Sequence, residues 1–280
     1  METLKTIKYK GCEIKIHPDS DPMNPMEDWD AMGEVRSFSR RHHNSVKDQD
    51  EAERLMEQHP LHVKLSYFEH GNCLWMVMGD ERPGVEWQWD GTRFAGLWIP
   101  NKEALNNIHV KTLSALVKPR GEVLYLSDKN PDGTVKEGRL NIITALLDGQ
   151  VWKKGFKTFE EAYRALGRKL KVPMNKEAME EPLRRASREY ARECVETYSQ
   201  WCNGEVYGYT TEMPDGSDGD SCWGYYGWEF EENGLLDEAK SSIDYYWEQK
   251  LQEHQKRLKI QIKNRVPLAC RQPVELYART

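Results

Sequence analysis

Apolar and polar positions alternate over residues 4–9 and again over residues 12–17, on either side of Lys10-Gly11. A two-residue period broken by a glycine-bearing turn predicts an opening β-hairpin. The same period returns at residues 34–39, at 62–69 and 72–78 across His70-Gly71, and at 93–99. Between these strands, residues 47–58 put Ala52, Leu55 and Met56 on one side of a short helix, and a second short helix is predicted at 102–107. Residues 122–126, 140–147 and 150–156 read as strands, separated by the turn signals Asn130-Pro131-Asp132-Gly133 and Asp148-Gly149. Thr158 with Glu161 makes a capping box for a helix that carries Phe159, Ala162, Tyr163, Leu166 and Leu170 on one face and stops at Pro173. A longer helix is predicted from near Pro182 to Trp201, since proline suits a first turn. Residues 205–211 and 221–226 form a hairpin around a polar loop. The last helix, 235–263, carries Leu236, Ala239, Ile243, Trp247, Leu251, Leu258 and Ile262 as its stripe.

This order predicts an α+β fold: an antiparallel sheet with packed helices, a small inserted β-β-β-α subdomain and a long C-terminal helix. Residues 1–108 form the N-terminal part of the main domain and residues 181–280 complete it, with 109–180 as the insertion. A unit with its own core and adjacent ends should be removable, so a short Gly/Ser linker in place of 109–180 is expected to leave a folded protein.

With 38% hydrophobic and 31% charged residues, the chain has no apolar run of the roughly 20 residues a membrane helix needs. No membrane association is expected. The first ten residues lack the apolar core of a secretory signal, so a cytoplasmic location is expected. Six cysteines stand far apart with no Cys-x-x-Cys pair, fitting neither a disulfide scaffold nor a zinc ribbon. Charge changes the picture more. Residues 193–239 carry twelve acidic side chains and no Lys or Arg, so this stretch holds −12 against −6 for the whole chain and leaves +6 elsewhere. Eight aromatic residues, from Trp201 to Phe230, run through it, which marks a folded acidic region rather than a disordered tail. Residues 118–171 are basic by contrast.

Candidate chemistry is sparse. Arg40-Arg41-His42-His43, with Asp28 and Asp30 upstream, offers cations and imidazoles for gripping phosphate or for acid and base roles; the other reading is a basic strand end facing the acidic loop. His59, His62, His70 and Cys73 are metal-ligand types at a spacing that matches no zinc pattern. Residues 215–220 resemble a calcium loop but lack its sixth-position glycine and twelfth-position glutamate, so a polar hairpin loop is the expectation. There is no phosphate-binding glycine loop, dinucleotide fingerprint or nucleophile elbow. No cofactor or metal is expected, and no catalytic residue is assigned.

Several pieces, among them Lys8-Tyr9-Lys10-Gly11, Asn24-Pro25, Trp29-Asp30, Trp89-Asp90-Gly91, the run from Asn203 to Tyr209, and Cys222-Trp223-Gly224-Tyr225-Tyr226-Gly227, resemble a family of small phage and mobile-element proteins with no assigned chemistry. The resemblance covers residues 5–107 and 181–250 and implies a phage origin. The remaining insertion resembles the three-stranded-sheet-plus-helix DNA-binding module of plant ethylene-response factors and phage homing endonucleases. That likeness makes Arg139, Trp152, Lys153, Lys154 and Lys157 candidate nucleic-acid contacts.

Carboxylates on a rigid scaffold can imitate nucleic-acid phosphates, and exposed aromatic residues among them can anchor a protein partner. The expected function is therefore non-enzymatic: a phage or mobile-element accessory protein that binds and modulates a host protein, an anti-defence inhibitor with a DNA-mimicking acidic surface. Its expected partner-binding residues are Glu205, Glu212, Asp215, Asp218, Asp220, Glu229, Glu231 and Glu232, with Trp75, Trp87 and Trp89 of a Trp-rich loop. The alternative is a nucleic-acid-binding protein acting through residues 109–180. An enzyme of phosphate chemistry built on the Arg/His cluster comes third.

Overall fold

The computed structural model describes residues 2–80, 90–118, 121–127, 141–147, 149–156, 158–172, 174–265 and 267, with backbone alone at 121–127, 141–146, 153 and 154. The chain divides into two compact units, Met1–Met23 with Gln200–Thr280, and Asn24–Ser199. In the first, β1 (Lys5–Tyr9) and β2 (Cys12–Pro18) pair antiparallel across Lys10 and Gly11, both at positive φ. That conformation is what a tight hairpin turn between right-twisted strands requires.

The second unit opens with α1 (Pro25–Asp28), β3 (Glu34–Ser37) and α2 (Gln49–Gln58), the last capped by Asp48, whose side chain accepts the Glu51 N–H. Strands β4 (Val63–His70), β5 (Asn72–Val77) and β6 (Gly91–Ile99) follow, and the antiparallel sheet runs β3-β6-β4-β5. Next comes α3 (Lys102–Val117), which extends well past the expected end at Asn107. Its buried Ala104, Ile108, Thr112 and Val117 keep helical spacing. Thr112 hides its hydroxyl by donating to the Ile108 carbonyl at 2.8 Å, so a polar residue sits in the apolar stripe and obscures it in the sequence.

Strands β7 (Gly121–Ser127), β8 (Asn141–Leu147) and β9 (Gln150–Phe156) form a separate antiparallel sheet in chain order, followed by α4 (Phe159–Leu170). The β-β-β-α succession is the expected one, and the Thr158 hydroxyl accepts the Glu161 N–H at 3.3 Å. The long α5 (Lys176–Cys202) starts earlier than Pro182. Asn175 caps it, its side chain accepting the Ala178 N–H at 2.9 Å, and the proline sits inside the helix without a backbone donor. The expected subdomain limits at 108/109 and 180/181 thus fall within α3 and α5. The core over this sheet joins Phe156, Tyr163 and Leu166 to Leu113 and Val117 of α3 and Met179 of α5. Excising 109–180 therefore takes part of two helices with it.

His109 of α3 lies in that region, stacked on Phe159 at 3.8 Å and 12° with its Nδ1 2.9 Å from the Tyr163 hydroxyl. Burial pushes its pKa down to about 4. In the unfolded chain an imidazole titrates near 6.5, so below that pH the unfolded state binds more protons than the folded one. Stability is full above about pH 6.5 and falls by roughly 3 kcal/mol as the pH drops to about 4. Urea unfolding across this window should show that loss in the wild type and a flatter slope in His109→Phe; equal slopes would refute it.

Back in the first unit, β10 (Val206–Glu212) and β11 (Asp218–Tyr226) pair as the expected hairpin, and β10 joins β2 to give the order β1-β2-β10-β11. The last helix, α6 (Leu235–Lys263), has its expected bounds. Ile14, Ile16 and Tyr209 pack with Leu235, Leu236, Ala239 and Ile243 of α6 to form this core. The predicted stripe is only half used, because Leu251 and Ile262 are exposed. On the sheet face away from this core, Trp223 lies against Gly208, where a Cβ would come within 2.2 Å of the indole and 2.7 Å of the Cys222 carbonyl oxygen. Any larger residue at 208 must displace the ring and the neighbouring strand.

Candidate functional site

Residues 227–234, between β11 and α6, form a pinned loop. Gly227, at positive φ, donates its N–H to the Glu205 carbonyl at 2.9 Å, and a Cβ there would sit 2.7 Å from the Gln200 amide. The positive φ favours glycine, and a Cβ would also require the Gln200 side chain to move aside. At the other end, Asn233 donates to the Gly227 carbonyl at 2.7 Å while its Oδ1 accepts the Leu235 N–H at 3.1 Å, tying the loop's start to the first turn of α6. The Glu229 carbonyl accepts the N–H groups of Glu232 and Asn233 at 2.9 and 3.0 Å. Phe230 turns inward and meets Tyr207 edge to face at 5.2 Å and 85°.

With the backbone fixed and Phe230 half-buried against the sheet, Trp228 points outward and is 69% exposed. Glu229, Glu231 and Glu232 are exposed beside it in sequence. The Glu229 and Glu232 carboxyls share a hydrogen bond that holds the Glu232 pKa above the ordinary carboxylate range, as expected when two like charges compete for one proton. Neither forms an ion pair with a described residue. The loop therefore presents a rigid apolar ring next to concentrated negative charge.

The eight expected carboxylates do not form one surface. Glu205, Glu229, Glu231 and Glu232 gather at the base of the β10–β11 hairpin, where Glu205 precedes β10 and the loop follows β11. Glu212, Asp215, Asp218 and Asp220 lie at its tip, about 20 Å away along the strand. At the tip three of the four charges are engaged by neighbouring groups. Glu212 is paired with Lys15, Asp215 accepts from the Ser217 N–H at 3.1 Å and hydroxyl at 2.6 Å, and Asp220 accepts the Ser221 N–H at 2.9 Å. The Ser217 hydrogen bonds hold the Asp215 pKa below its usual value. Residues 215–220 thus serve the hairpin turn.

The other expected sites scatter. Trp75 is 3% exposed, its ring 4.6 Å from that of Tyr67 and its N–H donating to the Ser199 hydroxyl at 2.9 Å, so it is a core residue and not a surface anchor. Trp87 and Trp89 lie outside the described residues, as do Arg139 and Lys157 and the side chains of Lys153 and Lys154. Trp152 is half-buried and packs onto the core shared with α4. His42 is held by packing: its Nδ1 is 2.7 Å from the Ser37 hydroxyl, its ring meets Tyr67 and Trp75 edge-on, and burial lowers its pKa. Arg40 and Arg41 are exposed, and His43, in the segment after β3, comes 3.8 Å from Glu27 of α1, so this basic stretch faces the acidic residues around α1. His59 and His62 precede β4, whereas His70 and Cys73 sit at its far end. Among the described residues no three His, Cys, Asp or Glu side chains are placed to hold a metal ion, and no helix is long and apolar enough to cross a membrane.

Trp228 was hidden in the sequence among seven neighbouring aromatics. Its one distinguishing signal is position, between the turn glycine Gly227 and a Glu-x-Glu-Glu run, outside any apolar period. No family model, curated protein or solved structure matches the chain.

Proposed function

We propose that the protein is a binding protein rather than an enzyme, an accessory protein of phage or mobile-element type that docks a basic, nucleic-acid-binding host protein. The observation that carries this reading is the 227–234 loop, where an outward Trp228 stands beside Glu229, Glu231 and Glu232 on a backbone fixed by Gly227 and Asn233. A rigid aromatic anchor loses little entropy on docking, and neighbouring carboxylates steer a cationic groove toward it. Host defence proteins that grip DNA through such grooves are the class of partner this surface fits. The resemblance of several sequence motifs to those of phage proteins supports a host target, and the packing of His42 supports binding over catalysis.

Competition tests the reading. A host protein captured by the purified chain should be displaced by duplex DNA, because both occupy the same cationic site. Duplex DNA mixed with the purified chain alone should give no salt-sensitive mobility shift. A shift by the chain alone would favour the basic β-β-β-α region, with Arg139, Trp152, Lys153, Lys154 and Lys157, as the functional surface instead.

A further inference from the structure

Helix α5 carries Arg184, Arg188 and Arg192 one turn apart, and with Arg185 and Lys64 of β4 they line a groove of about 500 Å³ in the second unit. Glu181 and Glu189 are the acidic residues of that lining, and Glu189 is drawn toward Lys111 at 3.8 Å. Positive charge is in excess. Part of it holds the helix in place: the Arg188 Nη2 donates to the Met78 carbonyl at 3.1 Å, and Ser187 donates to the Leu61 carbonyl at 2.6 Å. Asp80 then orients two guanidiniums. One of its oxygens accepts from Arg192 Nε and Nη2 at 2.9 and 2.6 Å, the other from Arg188 Nη2 at 3.3 Å. Their Nη1 groups make no hydrogen bond to a described residue. Arg184 is exposed and, among the described residues, pairs with Glu180 on its own helix at 3.0 Å.

We propose that this groove binds the oligophosphate chain of a small ligand. Guanidiniums fixed by a carboxylate present their remaining N–H groups in the planar fork that matches phosphate oxygens. At a rise of 1.5 Å per residue the three arginines span about 12 Å, too far for one phosphate and suited to a linear run of them. The volume lies within the roughly 300–1,000 Å³ of small-molecule sites. Among the described residues the lining holds Leu61, Val63 and Met78 and no Trp, Tyr or Phe, so what it presents to a ligand is phosphate-binding groups rather than a stacking platform.

Calorimetric titration of the full chain with inorganic tripolyphosphate, orthophosphate and a single-stranded oligonucleotide tests this. Tripolyphosphate should bind saturably and at least about tenfold more tightly than orthophosphate. The double variant Arg184→Gln/Arg185→Gln should weaken it roughly tenfold or more, since charged hydrogen bonds are lost. Glu181→Gln should tighten it, a gain that misfolding cannot produce. The proposal is overturned by no saturable binding, by equal affinity for orthophosphate, or by variants that leave affinity unchanged. An oligonucleotide that binds and is not displaced by tripolyphosphate would equally overturn it, in favour of a nucleic-acid backbone.

Discussion

Replacing Trp228 by Ala is expected to weaken partner binding by roughly 30-fold or more, the loss typical of a central aromatic anchor. Its side chain is 69% exposed, so little burial in the folded chain is lost with it. The loop is held by Gly227, Asn233 and Phe230, none of which needs the indole. Thermal unfolding should therefore move little, surface substitutions being worth about 0.5 kcal/mol or less. Titration of the captured partner against both proteins checks the first part, and a melting curve checks the second. Unchanged affinity in a folded variant would exclude Trp228 as the anchor.

The opposite balance is expected at Trp98. This residue of β6 is 0% exposed, its Nε1 donates to the Met32 carbonyl at 2.8 Å, and its ring lies 6.0 Å from that of Tyr190 in α5. Trp98→Ala leaves a large cavity between the sheet and α5 and strands a buried carbonyl, at a cost of about 3–5 kcal/mol. Trp98→Phe keeps most of the volume and loses chiefly the hydrogen bond, so it should cost about 1–2 kcal/mol. Denaturant unfolding of both variants measures the difference. Equal costs would mean that the hydrogen bond, and not the packing, holds Trp98 in place.

Wherever one face of a segment is buried and the other wet, its period was legible. The β1–β2 and β10–β11 hairpins and the bounds of α6 are such cases, because alternation and end signals act locally. Legibility failed where a distant contact or a cap overrode the local cue. The sequence around Asn106, Asn107 and Thr112 looks too polar to continue a helix, yet α3 continues because Thr112 satisfies its own hydroxyl and the neighbouring apolar residues meet another element's core. Pro182 looked like a helix start, but the Asn175 cap upstream sets the end. The acidic character of the hairpin region could be read from composition. Its division into a locally satisfied tip and a concentrated base depends on the pairing of β10 with β11 and of Lys15 with Glu212, which are long-range events. The arginine stripe of α5 is masked in the sequence by the acidic residues that alternate with it, and Asp80 and the neighbouring β4 turn it into a groove.

The proposed partner surface is the base of the hairpin and not its tip. Its most direct test is the association rate of the captured host protein, followed as a function of ionic strength, for two variants. One carries Gln at Glu205, Glu229, Glu231 and Glu232. The other carries Gln at Glu212 and Asn at Asp215, Asp218 and Asp220. Complementary charge acts mainly on the rate of encounter and is screened over about 10 Å at 0.1 M salt. The base variant should associate more slowly at low salt and lose most of the wild type's salt dependence, while the tip variant stays close to wild type. Wild-type association by the base variant at low salt, or an equal slowing in both variants, would contradict the account.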